Sequence, residues 1–155
     1  MADVHSAAIR SKNMRAIRTE NTAIEKRLAH LLEALGFSYQ VQDKTLAGRP
    51  DFVLAEQRTI IFVHGCFWHH HHCYLFKVPA TRSEFWLEKI GRNVARDRRD
   101  IATLTAEGWQ VLVVWECALR GKLRLDDEAI HSRLEEWIIA GNGNAEIDHQ
   151  GIHRF

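Results

Sequence analysis

The sequence predicts an α/β fold in which helices flank a mixed β-sheet. Two short apolar runs, 59–63 and 110–115, are rich in β-branched residues, and a segment of helical periodicity, 84–107, separates them. A strand, a long helix and a second strand in that order favour a right-handed parallel crossover. A further run, 52–54, lies just before the first of these strands and predicts an antiparallel hairpin, so the sheet should be mixed.

The remaining elements follow from local signals along the chain. A helix is predicted over 22–36, where leucine and isoleucine recur at helical spacing and a glycine closes the run. Residues 37–41 alternate apolar and polar side chains, as a half-buried strand does. Asp126 or Asp127 can cap a last helix, which should end at Gly141.

The segments between these elements differ in character. Gly48-Arg-Pro50 marks a turn before the hairpin. Residues 65–79 have no clear period, which predicts a loop that some other interaction must order. The tail from Asn142 to Phe155 suggests no role from its residues alone.

The composition is that of one globular domain. The chain has 155 residues, of which 46% are apolar and 26% charged, so it can bury a core and disorder is not expected. No apolar run reaches the roughly 18–20 residues that a membrane span needs, and the first residues lack the layout of a signal peptide. We therefore expect a cytoplasmic protein with no membrane partner, in which a basic arm over 1–20 precedes a single domain over 21–155.

Charge is distributed unevenly, although the total is only +1. Lys and Arg exceed Asp and Glu by 8 to 5 over residues 1–49 and by 7 to 3 over 77–99, whereas acidic residues lead by 10 to 5 over 100–155. The two basic stretches flank residues 65–79. A local patch suffices to neutralise phosphates, so nucleic acid is a candidate partner. A solvated helix face is the alternative for the second stretch.

A cluster of cysteines and histidines predicts a structural zinc site. Cys66 and Cys73 bracket four consecutive histidines, 69–72, and Cys117 comes just beyond the second apolar strand. If the two strands are parallel neighbours, Cys66 and Cys117 emerge at the same edge of the sheet. Three thiolates and one histidine complete a tetrahedral set, and the spacing leaves open which histidine binds. The alternative is three unrelated cysteines and an accidental run of histidines.

Candidate acid–base residues lie near this loop. Asp51 opens a strand and can hold Mg²⁺ through one or two oxygens, although an ordinary turn aspartate gives the same pattern. The next strand ends at Val63 and His64, which should lie beside Asp51 across the hairpin, and histidine is the usual acid or base near neutral pH. Glu25 either closes a capping box with Thr22, which the spacing favours, or reaches the water shell of a metal.

Three large aromatic residues flank the same region. Phe67 and Trp68 lie in the predicted loop, and Trp86 lies near the start of the long helix. Such residues often belong to a core. They also suit a wedge that unstacks base pairs, which is the more specific of the two hypotheses.

Five motifs along the chain carry a resemblance to one known family. They are Ser11-Lys-Asn-Met-Arg-Ala-Ile17, Gly48-Arg-Pro-Asp51, Val63-His-Gly-Cys-Phe-Trp-His-His-His-His-Cys-Tyr-Leu-Phe76, Phe85-Trp-Leu-Glu-Lys-Ile-Gly91 and Val113-Val-Trp-Glu-Cys-Ala-Leu-Arg120. In these motifs the chain resembles the very-short-patch repair DNA mismatch endonucleases of bacteria. The resemblance covers nearly the whole chain and weakens after about residue 140.

The resemblance implies a restriction-endonuclease-like α/β fold with a structural zinc site. It also implies Mg²⁺-dependent nicking of duplex DNA on the 5′ side of the thymine in a T·G mismatch, which arises when 5-methylcytosine deaminates. The implied partners are double-stranded DNA with that mismatch and a mismatch-repair protein. We expect a monomer in the bacterial cytoplasm.

The resemblance further implies roles for individual residues. Asp51 and the main-chain carbonyl of Val63 would bind Mg²⁺, while His69 would act as the base on the attacking water. Glu25 and His64 would support the network of metal, water and phosphate. The zinc ligands would be Cys66, His71, Cys73 and Cys117. The residues that wedge into DNA would be Phe67, Trp68 and Trp86, with Met14 on the arm approaching from the other groove.

One position departs from the family pattern, in which threonine is expected where Val63 stands. A carbonyl ligand survives that change, but a hydroxyl contribution would not. The related restriction fold usually places a carboxylate-x-lysine on this strand, and Phe62-Val63-His64 has no lysine. A histidine must therefore take over the role that the lysine has in that fold.

Two other functions fit parts of the sequence. A non-catalytic, zinc-stabilised module would bind mismatched DNA without Mg²⁺-dependent cleavage. A hydrolytic zinc enzyme of another class would need an open position on the zinc ion, which four protein ligands do not leave.

Overall fold

A six-stranded mixed sheet with helices packed on both faces forms the fold, as seen in a computed structural model that describes residues 22–141 and 143–155. The predicted basic arm over 1–20, including Met14, lies outside the described residues. No helix in the described part of the chain is long and apolar enough to cross a membrane.

The helices and strands largely follow the predicted order. In chain order they are α1 (22–34), β1 (Gln40–Val41), β2 (Phe52–Leu54), β3 (Thr59–His64), α2 (Ser83–Ala106), β4 (Gln110–Trp115), α3 (Glu116–Leu119), α4 (Asp127–Ala140), β5 (Ala145–Asp148) and β6 (Gly151–Arg154). The strands lie side by side in sequence order.

The pairing of the central strands confirms the predicted crossover. Strands β3 and β4 are parallel, with Ile61 opposite Leu112, and α2 connects them. The hairpin of β2 and β3 is antiparallel, with Phe52 opposite Ile61. Strand β5 is parallel to β4, so three neighbouring strands point the same way and end at one edge of the sheet.

The two faces of the sheet bury different cores, because alternate side chains of a strand point to opposite sides. One face packs against α1, α3 and α4; its central residues are Phe52, Leu54, Ile61, Leu112, Val114 and Ile147. The other face packs against α2 and the segment after β3; its central residues are Val53, Ile60, Phe62, Val111 and Val113.

The helix boundaries have identifiable causes. The side chain of Asp126 accepts a hydrogen bond from the Ala129 amide at 2.8 Å and so caps α4, which ends at Gly141 with φ of +63°. Helix α2 spans almost the predicted range, but only Ile90 and Leu104 on its expected apolar face are fully buried. The sheet therefore covers only part of this face.

A guanidinium group on α1 fixes this helix to α3 and to the start of α4. Arg27 donates to the carbonyls of Leu119 at 2.6 Å and Leu125 at 2.8 Å, and its Nε and Nη2 bind Asp127. This anchor also sets the position of Glu25 on the same helix.

Two parts of the sheet differ from the sequence prediction. The strand predicted over 37–41 pairs only at Gln40 and Val41, and Val41 is 58% exposed. Tyr39 instead packs its ring edge-on against Phe52, at 5.2 Å between centroids, so its apolar character serves packing rather than strand pairing.

The hairpin of β5 and β6 was not predicted, and neither was the short helix α3. Strand β5 alternates apolar and polar residues over only four positions, which is too short a run to predict a strand. Its polar side chains have partners in the fold. Glu146 accepts a hydrogen bond from Trp115 Nε1 at 3.2 Å, and Asp148 faces His71.

Two glycines allow a matched test of backbone strain in this fold. Gly121 has φ of +95°, and a Cβ there would collide with the hydroxyl of Tyr74, which accepts a hydrogen bond from the Leu123 amide. Gly121→Ala should therefore cost about 2 kcal/mol of unfolding free energy. Gly91 lies in α2 with open space around it, so Gly91→Ala should instead gain about 0.5–1 kcal/mol. Urea denaturation measures both, and equal effects would contradict this assignment of strain.

Candidate active site and metal centre

Four potential metal ligands converge where the parallel strands end. Cys66 follows β3, Cys117 lies in α3 directly after β4, and His71 and Cys73 come from the segment between β3 and α2. One ligand atom from each of these residues lies within 4.8 Å of all the others. The predicted cysteines and one histidine are therefore brought together, and His71 is the histidine that completes the set.

The distances within this cluster suit a zinc ion. The Nδ1 atom of His71 lies 3.6 Å from Cys66 Sγ and 3.5 Å from Cys117 Sγ. Tetrahedral zinc with Zn–S near 2.3 Å and Zn–N near 2.0–2.1 Å places sulfur and nitrogen about 3.6 Å apart. Three thiols and an imidazole are also the donor set of structural zinc, so the cluster could hold zinc with no open position.

Proton affinities in the cluster reflect the close approach of the thiols. The hydrogen bond from Cys66, with those from His71 and His149, lowers the pKa of Cys117 to about 4 despite burial. The same contact with Cys117, together with burial, raises the pKa of Cys66. The Cys117 thiolate therefore forms readily and is stabilised by hydrogen bonds from its neighbours. A metal ligand must be deprotonated in this way.

Neighbouring groups hold the backbone and rings of this cluster. The buried carboxylate of Glu116 accepts a hydrogen bond from the Cys66 amide at 3.0 Å and pairs with Arg120. The ring of Trp115 stacks on His71 at 4.3 Å between centroids. The ligands are therefore fixed from the sheet side as well as by each other.

Asp51 lies beside the end of β3, as the hairpin predicts. Its Oδ2 accepts a hydrogen bond from the Val63 amide at 2.7 Å, and its Oδ1 accepts one from the Gln42 side chain at 3.0 Å. Burial raises the pKa of Asp51, while these two hydrogen bonds act in the opposite direction.

Glu25 on α1 reaches the same carboxylate. Burial, the charge of Asp51 and a hydrogen bond with Asp51 raise the pKa of Glu25 to about 7. Of its two interpretations, the position of Glu25 favours the one in which it belongs to the site. Two carboxyl groups in contact share a proton or attract a cation, because both cannot be charged at low cost.

A histidine pair stands next to these carboxyl groups. The rings of His64 and His69 stack at 3.8 Å between centroids with an angle of 3°. The Nδ1 of His69 contacts Asp97 Oδ2 at 2.5 Å. Burial, reinforced by His69, lowers the pKa of His64 well below its usual value, so this ring is neutral at neutral pH.

One face of helix α2 holds two consecutive residues of the loop after β3, Trp68 and His69. Asn93 donates a hydrogen bond to the carbonyl of Trp68 at 3.1 Å, and Asp97, one turn later, binds His69. Residues four apart on a helix share a face, so these two contacts position consecutive residues of the segment.

A cavity of about 580 Å³ is shared by Asp51 and the histidine pair. Asp51, Val63, His64, His69 and Asp97 all line it. Three basic side chains, Lys44, Arg49 and Arg96, line the same cavity together with a further carboxylate, Asp100. The cationic side chains suit a phosphate group, while the carboxylates suit a cation bound beside it.

The three predicted aromatic wedge residues form one cluster, which adjoins the cavity through the chain because Trp68 directly precedes the cavity-lining His69. Phe67 lies 5.0 Å from Trp68 and 5.8 Å from Trp86 between ring centroids, and the two tryptophans are 5.8 Å apart. All three are only partly buried, and the ammonium of Lys89 lies 5.5 Å from the Trp68 ring. The cluster thus lies at the surface rather than in a core.

Several residues of the site had no signal in the sequence. Asp97 is one of four acidic residues in α2, Glu116 begins α3 directly after β4, and Asp148 ends β5; the sequence pattern marked none of them as functional. Their contacts depend on the crossover and on the hairpin of β5 and β6. The structure alone shows that the face of α2 with Asp97 meets the histidine loop, so the sequence offers no signal for this contact.

Comparison with known proteins shows the family to which the chain belongs. The family model described as DNA mismatch endonuclease Vsr matches residues 2–75. The chain is 69% identical over 153 residues to the DNA mismatch endonuclease Vsr of Escherichia coli K12, which covers 99% of this chain and 98% of that protein. The chain belongs to the Vsr DNA mismatch endonuclease family. The family predicted from the sequence motifs is therefore confirmed.

Two less similar relatives also match this chain over most of their length. The type II nicking enzyme V.XorIIP of Xanthomonas oryzae pv. oryzae is 44% identical over 77% of this chain and 88% of its own. The type II nicking enzyme V.NmeAIP of Neisseria meningitidis serogroup A is 39% identical over 79% of this chain and 87% of its own.

The contact of Glu25 with Asp51 predicts a pH-dependent cost to stability in the metal-free protein. The pKa of Glu25 is higher in the folded than in the unfolded chain, so folding is favoured at low pH and penalised as pH rises through about 7. Glu25→Gln removes this penalty. Because the site is partly exposed, the gain should be on the order of 1 kcal/mol at pH 8.

The gain should be absent at pH 4, grow up to about pH 7 and be constant above it. Thermal denaturation at several pH values in chelating buffer measures it, with Glu56→Gln in an exposed turn as the control. A loss of stability on Glu25→Gln at pH 8 would show that the two carboxyl groups do not repel each other.

Proposed function

We propose that this chain nicks duplex DNA on the 5′ side of the thymine in a T·G mismatch, by a hydrolysis that requires Mg²⁺. The observation that carries the proposal is the single cavity in which Asp51, His64 and His69 meet beside an aromatic cluster. Membership of a family of mismatch endonucleases supports it.

The paired carboxyl groups suit a divalent cation. Asp51 and Glu25 are in contact, and burial and mutual repulsion raise the pKa of Glu25. Mg²⁺ prefers oxygen ligands and often takes only one or two carboxylates. Asp51 and the carbonyl of Val63 would hold the ion, with Glu25 and His64 supporting its surroundings. When bound, Mg²⁺ would stabilise the negative charge that develops on the phosphate.

His69 is the proposed general base. Because Asp97 contacts Nδ1, the proton of the neutral ring is held on that side, and Nε2 is left to accept a proton from water. Asp97 is then a positioning residue that fixes the tautomer and stabilises the protonated ring. His64 stacks on His69 and stays neutral, so it keeps the ring in place without repelling that charge.

The aromatic cluster is proposed to recognise the distorted base pair. Phe67, Trp68 and Trp86 present partly exposed rings next to the cavity, and rings inserted between bases unstack the duplex. A mismatch lowers the cost of unstacking, so this device favours mismatched over matched DNA. Met14 on the arm would approach from the opposite groove.

The remaining parts of the proposal concern the setting of the reaction. The cysteine–histidine cluster would hold a structural zinc ion, which leaves hydrolysis to the neighbouring cavity. Coupling to a mismatch-repair protein, a monomeric state and a location in the bacterial cytoplasm stay predictions of the family resemblance.

A labelled duplex tests this function directly. T·G and C·G duplexes of equal sequence are incubated with and without Mg²⁺, and the products are sized on a denaturing gel. We expect one nick 5′ to the thymine, only in the T·G duplex and only with Mg²⁺. Binding of the T·G duplex without any nick would instead support the non-catalytic binding module.

Substitutions then separate the roles in the site. His69→Ala should lower the single-turnover rate by about 10²–10⁴-fold, since a general base contributes that much. Asp97→Asn should lower it by at least about 10-fold and alter the pH–rate profile, with duplex affinity and melting temperature unchanged. Glu135→Gln, an equal charge change on an exposed part of α4, is the control. Full activity of His69→Ala would overturn the mechanism.

A further inference from the structure

We propose that Asp148 and His149, in the hairpin of β5 and β6, are positioning residues of the zinc site. Asp148 orients the ring of His71, and His149 donates a hydrogen bond to the Cys117 thiolate. The inference rests on the zinc assignment made above. It gives a role to a tail whose sequence suggested none.

The parallel strands bring the hairpin to this site. Strand β5 pairs with β4 in parallel, with Ile147 opposite Val114, so Asp148 is at the end of β5 where Trp115 ends β4. Cys66 and Cys117 follow the ends of β3 and β4 at the same edge. Three neighbouring strands therefore end around one cluster.

Asp148 contacts the side of His71 that faces away from the thiols. Because His71 Nδ1 points at two sulfur atoms, Nε2 points outward, and Asp148 Oδ2 lies 3.4 Å from it. Metal-bound histidines usually donate their second ring N–H to a carboxylate or carbonyl, which fixes the tautomer and orientation of the ring. Asp148 faces His71 at ion-pair distance with the same two groups, so a small shift of the ring on metal binding would complete such a hydrogen bond.

Asp148 is itself held firmly. It is 7% exposed, its Oδ1 accepts a hydrogen bond from the Gln150 amide at 2.8 Å, and the same oxygen lies 3.2 Å from His153 Nε2. A buried carboxylate with its first oxygen satisfied within the hairpin has its second oxygen free to fix the ligand. The hairpin thus supplies a rigid support.

His149 contacts a different ligand. Its Nδ1 lies 3.4 Å from Cys117 Sγ, and the ring of Tyr74 packs edge-on against it at 5.8 Å between centroids. A hydrogen bond to a thiolate lowers its charge density and slows its protonation and loss from the metal. Two consecutive residues therefore support two separate ligands.

Zinc release from the full-length, zinc-loaded protein tests this proposal. The rate of transfer to a chromogenic chelator is measured for wild type, Asp148→Asn, His149→Ala and His71→Ala. Because loss of a group that hydrogen-bonds to a metal ligand typically weakens metal affinity by about 10–100-fold, Asp148→Asn should release zinc at least about 10-fold faster. His149→Ala should release it several-fold faster, and Arg154→Ala, at the exposed end of β6, should match wild type.

Asparagine separates positioning from a merely structural role. It keeps an oxygen that can accept from the Gln150 amide, so the turn survives, but it lacks the charge that faces His71. The absorption spectrum of the Co²⁺-substituted protein gives a second readout, because its thiolate-to-metal bands report on the ligands. We expect these bands to shift in Asp148→Asn and His149→Ala.

The outcomes separate this inference from the zinc assignment. Zinc release and Co²⁺ spectra identical to wild type in both hairpin variants, with rapid release from His71→Ala, would overturn the inference alone. Failure of wild type to bind one equivalent of zinc would overturn both. If Asp148→Asn does not fold, His149→Ala decides.

Discussion

The structure depends on the meeting of Cys66, His71, Cys73 and Cys117 at one point. The segment between β3 and α2 contains neither helix nor strand, yet it carries His69, Phe67 and Trp68. Structural zinc contributes on the order of 10 kcal/mol to folding, which is enough to order such a segment. The proposed zinc ion therefore fixes the chemical groups of the neighbouring cavity without reacting itself.

The proposed active site contains an unfavourable contact that the rest of the fold must offset. Glu25 and Asp51 are in contact within a partly buried cavity, which is unfavourable until a proton or cation joins them. Arg27 holds α1 in place through two carbonyls and Asp127, and the Val63 amide holds Asp51. Favourable contacts elsewhere in the fold thus maintain a pair of carboxyl groups that lowers stability but suits the proposed catalysis.

Much of the fold could be predicted because periodicity reports on burial. The hairpin, the parallel crossover and the long helices all have clear apolar patterns, and the cysteine spacing marked the metal cluster. The hairpin of β5 and β6 was not predicted, since each strand has only four residues and the alternation in β5 is too short to separate it from a loop. Asp97 was missed because its partner, His69, lies 28 residues away and meets it only through the crossover. The strand predicted over 37–41 shortened because Tyr39 packs against Phe52 instead of pairing.

Amide hydrogen exchange with and without zinc tests the central claim most directly. In residues 66–76 the loop amides bond mainly within the loop, as His71 N does to Cys66 O at 2.9 Å, so their protection should depend on the metal. After chelation, verified by metal analysis, exchange over 66–76 should accelerate by at least about 100-fold. Strands β3 and β4 should retain most of their protection. Unchanged exchange over 66–76 in demonstrably zinc-free protein would contradict the account.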